Sequence, residues 1–152
     1  MVFIPRDPVM QNQFLTHDSS KGSTAAAGSI VALSGDQLVE VVSGTNTTPY
    51  GLLMQNVKAE SSAHPTGFRL PGDLGSSDAF TGDPVAVAHL GLYDTTNYDP
   101  AVTFAAGENL FSDNQGRLTN VAGSGALGVV VAVTQNNVVG STGKRLRVKL
   151  LI

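Results

Sequence analysis

The chain has 152 residues, a net charge of −3 and only 14% charged residues, against roughly 25% in an average soluble domain. That length suits one domain with one real core, and 41% hydrophobic residues are too many for a disordered chain. The lack of cysteine excludes disulfides and thiolate metal sites, the acidic balance argues against nucleic-acid binding, and no apolar run approaches the ~18 residues of a membrane span.

Glycine, serine and threonine are abundant, which fits a turn-dense, all-β protein with a neutral polar surface. The expectation is a single domain of antiparallel meanders forming a small barrel or sandwich, with an extended N-terminal arm over residues 1–27 and the β domain over 28–152. Pro5 and Pro8 keep the opening extended. Val9, Met10 and Phe14 support one short helical turn, with Asp7 as cap and Pro8 at its first position. The opening M-V-F-I-P-R-D-P has no basic segment followed by an apolar one, so no secretory signal is expected. The following H-D-S-S-K-G-S-T-A-A-A-G is too small and polar to order by itself. Phe3, Ile4, Phe14 and Leu15 are too apolar for an idle tail, so the segment reads either as a disordered leader or as an arm that orders on a partner.

Strands dominate from Gly28. Residues 29–33 and 37–42 form a hairpin about Ser34-Gly35-Asp36, and 50–57 supplies a third strand. Residues 59–80 read as a long loop with a short strand at 68–70, a length that often marks a contact-forming segment. Pro84 opens a strand over 85–93, at the one position a strand tolerates it. Alternation puts Val85, Val87, His89 and Tyr93 on one face and Ala86, Ala88, Leu90 and Leu92 on the other. After a loop over 93–106 come a strand, a tight Asn114-Gln115-Gly116 turn, a second strand and a glycine-rich turn. Then follows an apolar strand over 129–133 whose two faces should both be buried. The final strand alternates Leu146, Val148, Leu150 and Ile152 with Arg145, Arg147 and Leu151, a half-buried pattern.

Residues 28–58 and 107–135 share a layout. Gly28 answers to Gly107, Val31 to Leu110, Leu38 to Leu118, Gly51 to Gly128 and Leu52-Leu53 to Val129-Val130, which suggests two related β-meanders. Charge is uneven. Asp73, Asp78, Asp83, Asp94, Asp99, Glu108 and Asp113 fall in a stretch without Lys or Arg, while Lys144, Arg145, Arg147 and Lys149 crowd the end. These runs are either two solvated faces or complementary surfaces that meet between subunits.

Little in the chain looks like chemistry. His17, His64 and His89 are far apart, and none has a metal-ligand partner at helical spacing. Gly140-Ser-Thr-Gly-Lys144 fails the phosphate-loop pattern, because Val138 stands five before Gly143 and Arg145 replaces the magnesium-binding hydroxyl. No G-x-S-x-G elbow is present. No enzyme activity, cofactor or metal is expected.

The remaining motifs are G-x-x-V-x-L…L-V-x-V, G-D-P-V-A-V, A-G-E-N-L-F, G-R-L and A-L-G-V-V. Over about residues 28–135 this pattern resembles the head decoration, or cement, proteins of tailed bacteriophages. The resemblance implies a β-rich homotrimer on the outer capsid surface of a virion. It would bind the major capsid protein, bridge neighbouring capsomers and do no catalysis. Phe3, Ile4, Arg6, Phe14 and Lys21 would then be capsid contacts. Val129, Val131, Arg145 and Arg147 would lie at a subunit seam. Deleting residues 1–20 should leave the domain folded and abolish capsid binding. The alternative is a receptor- or carbohydrate-binding β module of a phage tail or fibre. Against it, sugar binding favours aromatic platforms, and the chain has no Trp and three Tyr.

Overall fold

A computed structural model describes residues 1, 3–5, 11–44, 48–59, 78–123 and 125–152. Fourteen strands run through them. The first seven are β1 (Phe3–Pro5), β2 (Gln11–His17), β3 (Ile30–Gly35), β4 (Leu38–Val41), β5 (Gly51–Leu53), β6 (Asn56–Lys58) and β7 (Asp78–Phe80). The rest are β8 (Pro84–Thr95), β9 (Thr103–Phe104), β10 (Asn109–Ser112), β11 (Leu118–Thr119), β12 (Ala132–Thr134), β13 (Val138–Val139) and β14 (Leu146–Leu150). Two 3-10 turns, Gly125–Gly128 and Gly140–Thr142, are the only helical segments among the described residues. The fold is all-β.

Five strands close a barrel. β8 pairs with β2, β2 with β4, β4 with β3, β3 with β5, and β5 returns to β8. All contacts are antiparallel except β2 with β4, where Thr16 lies beside Leu38 and His17 beside Val39. Every strand sends an apolar side chain inward: Leu15, Val31, Val39, Leu53, Val85 and Val87 pack together, with Val57 and Ala79 of β6 and β7. Barrel closure leaves no free edge to recruit another chain. It also explains Gly51. A Cβ there would lie 2.8 Å from the Ala88 carbonyl oxygen, so β5 meets β8 only without a side chain.

Part of the first 27 residues, expected to stand apart as an arm, enters this sheet. β2 fills the place between β4 and β8, and Leu15 is 3% exposed. Extended backbone with one buried apolar side chain suffices, because its neighbours supply the hydrogen bonds. Deleting residues 1–20 would therefore remove a barrel strand instead of a tether. Of the expected helical turn, Val9 and Met10 lie outside the described residues and Phe14 is in β2. The expected strand at 68–70 also lies outside them.

β8 is 12 residues long and serves twice. Its first half belongs to the barrel; its second half pairs with β14 on one side and β1 on the other. A register shift opposite Gln11 and Asn12 lets β8 gain a residue between Ala88 and Leu90. This bulge reverses the alternation. Ala88 and Tyr93, expected on opposite faces, belong to one cluster.

Beyond the bulge the circuit starts again. β8 pairs with β14, β14 with β12, β12 with β10 and β10 with β11. The chain just past β8 lies parallel to β11, with Tyr98 beside Leu118. Leu110, Leu118, Ala132, Leu146, Val148 and Phe104 fill the second core, which is continuous with the outer face of the first barrel.

The two units share several bonds at matching positions. Gly28 N–H donates to Leu53 O (2.7 Å) and Gly107 N–H to Thr134 O (2.9 Å). Ala27 N–H donates to Asn56 Oδ1 (3.0 Å), and Ala106 N–H to Asn137 Oδ1 (2.8 Å). Asp18 N–H donates to Val39 O and Asp99 N–H to Leu118 O, both at 2.8 Å. Gly28 and Gly107 both take positive φ (83° and 90°), as do Gln37 and Gly116 (56° and 71°). This register pairs Leu118 with Val39 instead of Leu38. It pairs Gly51 with Ala132 instead of Gly128, since Val31 faces Gly51 and Leu110 faces Ala132. Leu52-Leu53 accordingly matches Val133-Thr134, not Val129-Val130. The expected strand over 129–133 begins only at Ala132, and Val129, expected to be buried, is 46% exposed. The 3-10 turn Gly125–Gly128 immediately precedes Val129, and regular bonding to both neighbours starts only at Val131, whose N–H donates to Leu110 O and whose O accepts from Leu151 N–H.

Candidate functional site

The residues expected to contact partners do not come together. Phe3 is buried and stacks on Tyr93, with ring centroids 4.3 Å apart; it is a core residue, not an arm contact. Ile4 is half-buried in β1, in register with Asp94. Arg6 lies outside the described residues. Phe14 remains accessible at 67% exposure, on a β2 residue in register with Ala86. Lys21 is exposed, in a turn where its N–H donates to Asp18 O (3.1 Å). Of the seam candidates, Val131 is fully buried within the second unit and so is not a seam residue, while Val129 and Arg145 are exposed.

Arg147 is engaged within the chain. Its Nε donates to Asp94 Oδ1 at 2.8 Å and its Nη2 to Oδ2 at 3.3 Å. The Asp94 side chain is 7% exposed, and its hydrogen bond holds the Arg147 guanidinium above its usual pKa. A fork-on-fork pair suits this task better than lysine would. Much of the acidic run is likewise occupied at home. Asp78 pairs with Lys58 and Asp113 with Arg117. Asp99 Oδ1 accepts from Ala101 N–H (2.9 Å). Glu108 accepts from Ala105 N–H and the Asn120 amide, which lowers its carboxyl below the usual range. A charge run in sequence therefore does not make a charged face.

Two of the three histidines are placed. His17 is 2% exposed, and its Nδ1 meets no hydrogen-bond partner among the described residues. Burial lowers its pKa, opposed in part by Asp18 and Glu40. His89 packs edge-on against Tyr50 with centroids 5.0 Å apart. His64 lies outside the described residues. Among the described residues no three His, Asp or Glu side chains gather as metal ligands.

A groove of about 640 Å3 runs between the two units, lined by Asn56, Lys58, Asn97, Gln115 and Arg117 among others. Lys58 and Arg117 already have carboxylate partners in Asp78 and Asp113. Asn97 Nδ2 donates to Ser29 Oγ (3.0 Å).

The informative surface lies elsewhere. The outer face of the first barrel packs on the second unit through Ile30, Ala32, Val42, Leu52 and Ala88, none more than 1% exposed. The matching positions of the second unit are Asn109, Phe111, Val121, Val133 and Lys149. All five reach solvent, with Val121 61% exposed. Sequence reading missed this face because burial there depends on which unit has a neighbour. The one signal was the repeat itself, had its register been right. Compared with protein-family models and with curated proteins, the sequence matches none.

Proposed function

We propose that the chain is a virion structural protein of a tailed bacteriophage. It binds the outer capsid surface through the major capsid protein, bridges neighbouring capsomers and acts as a homotrimer. The observation that carries the reading is Phe14. A phenylalanine 67% exposed on a barrel strand is held ready to bury itself in a partner at little entropic cost. Rigid aromatic anchors of this kind dominate protein–protein contacts. Exposed Leu33, Leu90, Val129, Val139 and Leu151 add apolar contact area on other strands and turns. Bridging needs a molecule with contacts on more than one face, and avidity then multiplies weak individual contacts.

The test is co-sedimentation with expanded, undecorated phage shells, together with the melting temperature of those shells. The wild-type chain should pellet with the shells and raise their melting point. Phe14→Ser should keep its own melting curve and lose binding by roughly tenfold or more. Wild-type protein that stays in the supernatant overturns the reading. Equal binding by Phe14→Ser removes Phe14 from the contact.

A further inference from the structure

The barrel closes along a short contact. β2 and β8 share six register pairs, but β2 and β4 share only Thr16 with Leu38 and His17 with Val39. Across this seam Thr16 N–H donates to Gln37 O (3.0 Å) and Asp18 N–H to Val39 O (2.8 Å). Ser34 Oγ adds a side-chain tie to Asp18 Oδ2 (2.9 Å). Between the two backbone bonds stands His17, buried, with Nδ1 unpartnered among the described residues. Leu15, two residues back on β2, and Val39, in register with the ring, are core side chains that accept no hydrogen bond.

We propose that this seam is an acid-operated latch: a proton on the His17 imidazole releases β4 from β2 and opens the barrel there, while β2 stays paired to β8. An imidazolium carries an N–H on both ring nitrogens. At Nδ1 that donor would be buried without an acceptor, and the charge would sit among apolar side chains. Parting the short seam lets water reach both. Burial holds the His17 pKa below 6.5 and outweighs Asp18 and Glu40, which favour the proton. Asp18 stays ionised, because Ser20 and Ser34 keep its carboxyl below the usual range. On the β8 side the register beyond Thr16 and Pro84 leads to Asp83. Asp36 and Lys21 lie in the adjoining turns, and Asp78 of β7 pairs with Lys58 of β6. The second unit has Tyr98 at this place, its hydroxyl satisfied by Lys144 O, so the latch belongs to the first barrel alone. An open seam bares the strand edges that closure hides.

Native-state amide exchange of the full chain tests it, followed by NMR across neutral and mildly acidic pH at low urea. The reference is the Val131 amide, which donates to Leu110 O in the second unit. The Thr16 and Asp18 amides should be less protected than Val131 and respond little to urea, the mark of a local opening. The open form binds the proton more tightly than the closed one. Seam protection should therefore fall by up to about tenfold for each pH unit below 6.5, until the folded pKa is reached. His17→Gln should abolish that slope. The ring-proton shifts of His17 in the wild-type chain give a second reading that needs no variant, and they should titrate below 6.5. Seam amides that share the protection and urea response of Val131 overturn the proposal. So does seam protection that is flat with pH, a slope that survives His17→Gln, or a His17 ring that titrates at 6.5 or above.

Discussion

The two halves of the molecule start from the same pairing and finish differently. In each, a central strand (β3, β10) holds a hairpin partner on one side (β4, β11) and a later strand on the other (β5, β12). In the first unit β2 runs beside β4 for the residues Thr16 and His17, and β5 bonds directly to β8, so the barrel is shut. In the second unit a single bridge from Tyr98 to Leu118 stands for β2, and β14 takes the role β8 has in the first. Closure is thus a matter of one added strand and not of a different fold. The strand that makes the difference is the stretch with the weakest signal, Q-N-Q-F-L-T-H.

The harshest way to break the comparison is to remove that strand. A chain lacking residues 1–17 should lose its cooperative urea transition, because Leu15 leaves the barrel core and β4 and β8 lose their common neighbour. A circular dichroism melt identical to wild type would mean that β2 is dispensable. Next come matched cavities. Leu53→Ala in the first core and Leu110→Ala in the second, both at fully buried positions, should each cost about 2–5 kcal/mol. Because the strands β3, β5 and β8 face the barrel interior on one side and the second core on the other, both should shift one transition. Two separated transitions in calorimetry would show two domains.

A finer contrast lies in the third strands. Gly51→Ala should cost about 1–3 kcal/mol, since the new methyl meets Val87 and the Ala88 carbonyl oxygen. The counterpart change, Ala132→Gly, meets no clash and should cost about 1 kcal/mol or less beyond its lost methyl contacts. Equal effects in chemical denaturation would argue that the strands are not equivalent. The smallest effect concerns pH. His17 stands where the second unit has Tyr98, whose hydroxyl donates to Lys144 O at 2.5 Å. Burial lowers the His17 pKa below 6.5. Between the folded value and 6.5 the unfolded chain binds more protons, so stability rises with pH there and falls as pH drops below 6.5. His17→Gln should flatten that part of the stability profile; an unchanged slope would assign the acid sensitivity to other groups.

How much of this was legible follows the same line. The hairpins were, because Ser34-Gly35-Asp36 and Asn114-Gln115-Gly116 announce turns and the flanking Val and Leu residues alternate. The start of β8 was legible at Pro84. Its two faces were not, since a bulge leaves no mark on a run such as A-V-A-H-L-G-L. The apolar run at 129–133 misled because β propensity reports fitness for a sheet and not the presence of a partner strand. Phe3 and Leu15 misled in the opposite sense: an extended, Pro-flanked opening looks free until the edges that receive it are known. The open face around Val121 was invisible for a related reason. Val42 and Val121 hold the same place in the repeat, but Val42 N–H bonds to Ile30 O on the central strand and Val121 N–H turns back to Thr119 Oγ1.

β8 is at once the last stave of the barrel and the first strand of the second unit, with no loop between. The barrel cannot open along β8 without disturbing the second unit. Slow amide exchange should therefore report a single opening free energy along the strand, with the protons on either side of His89 released together in one event.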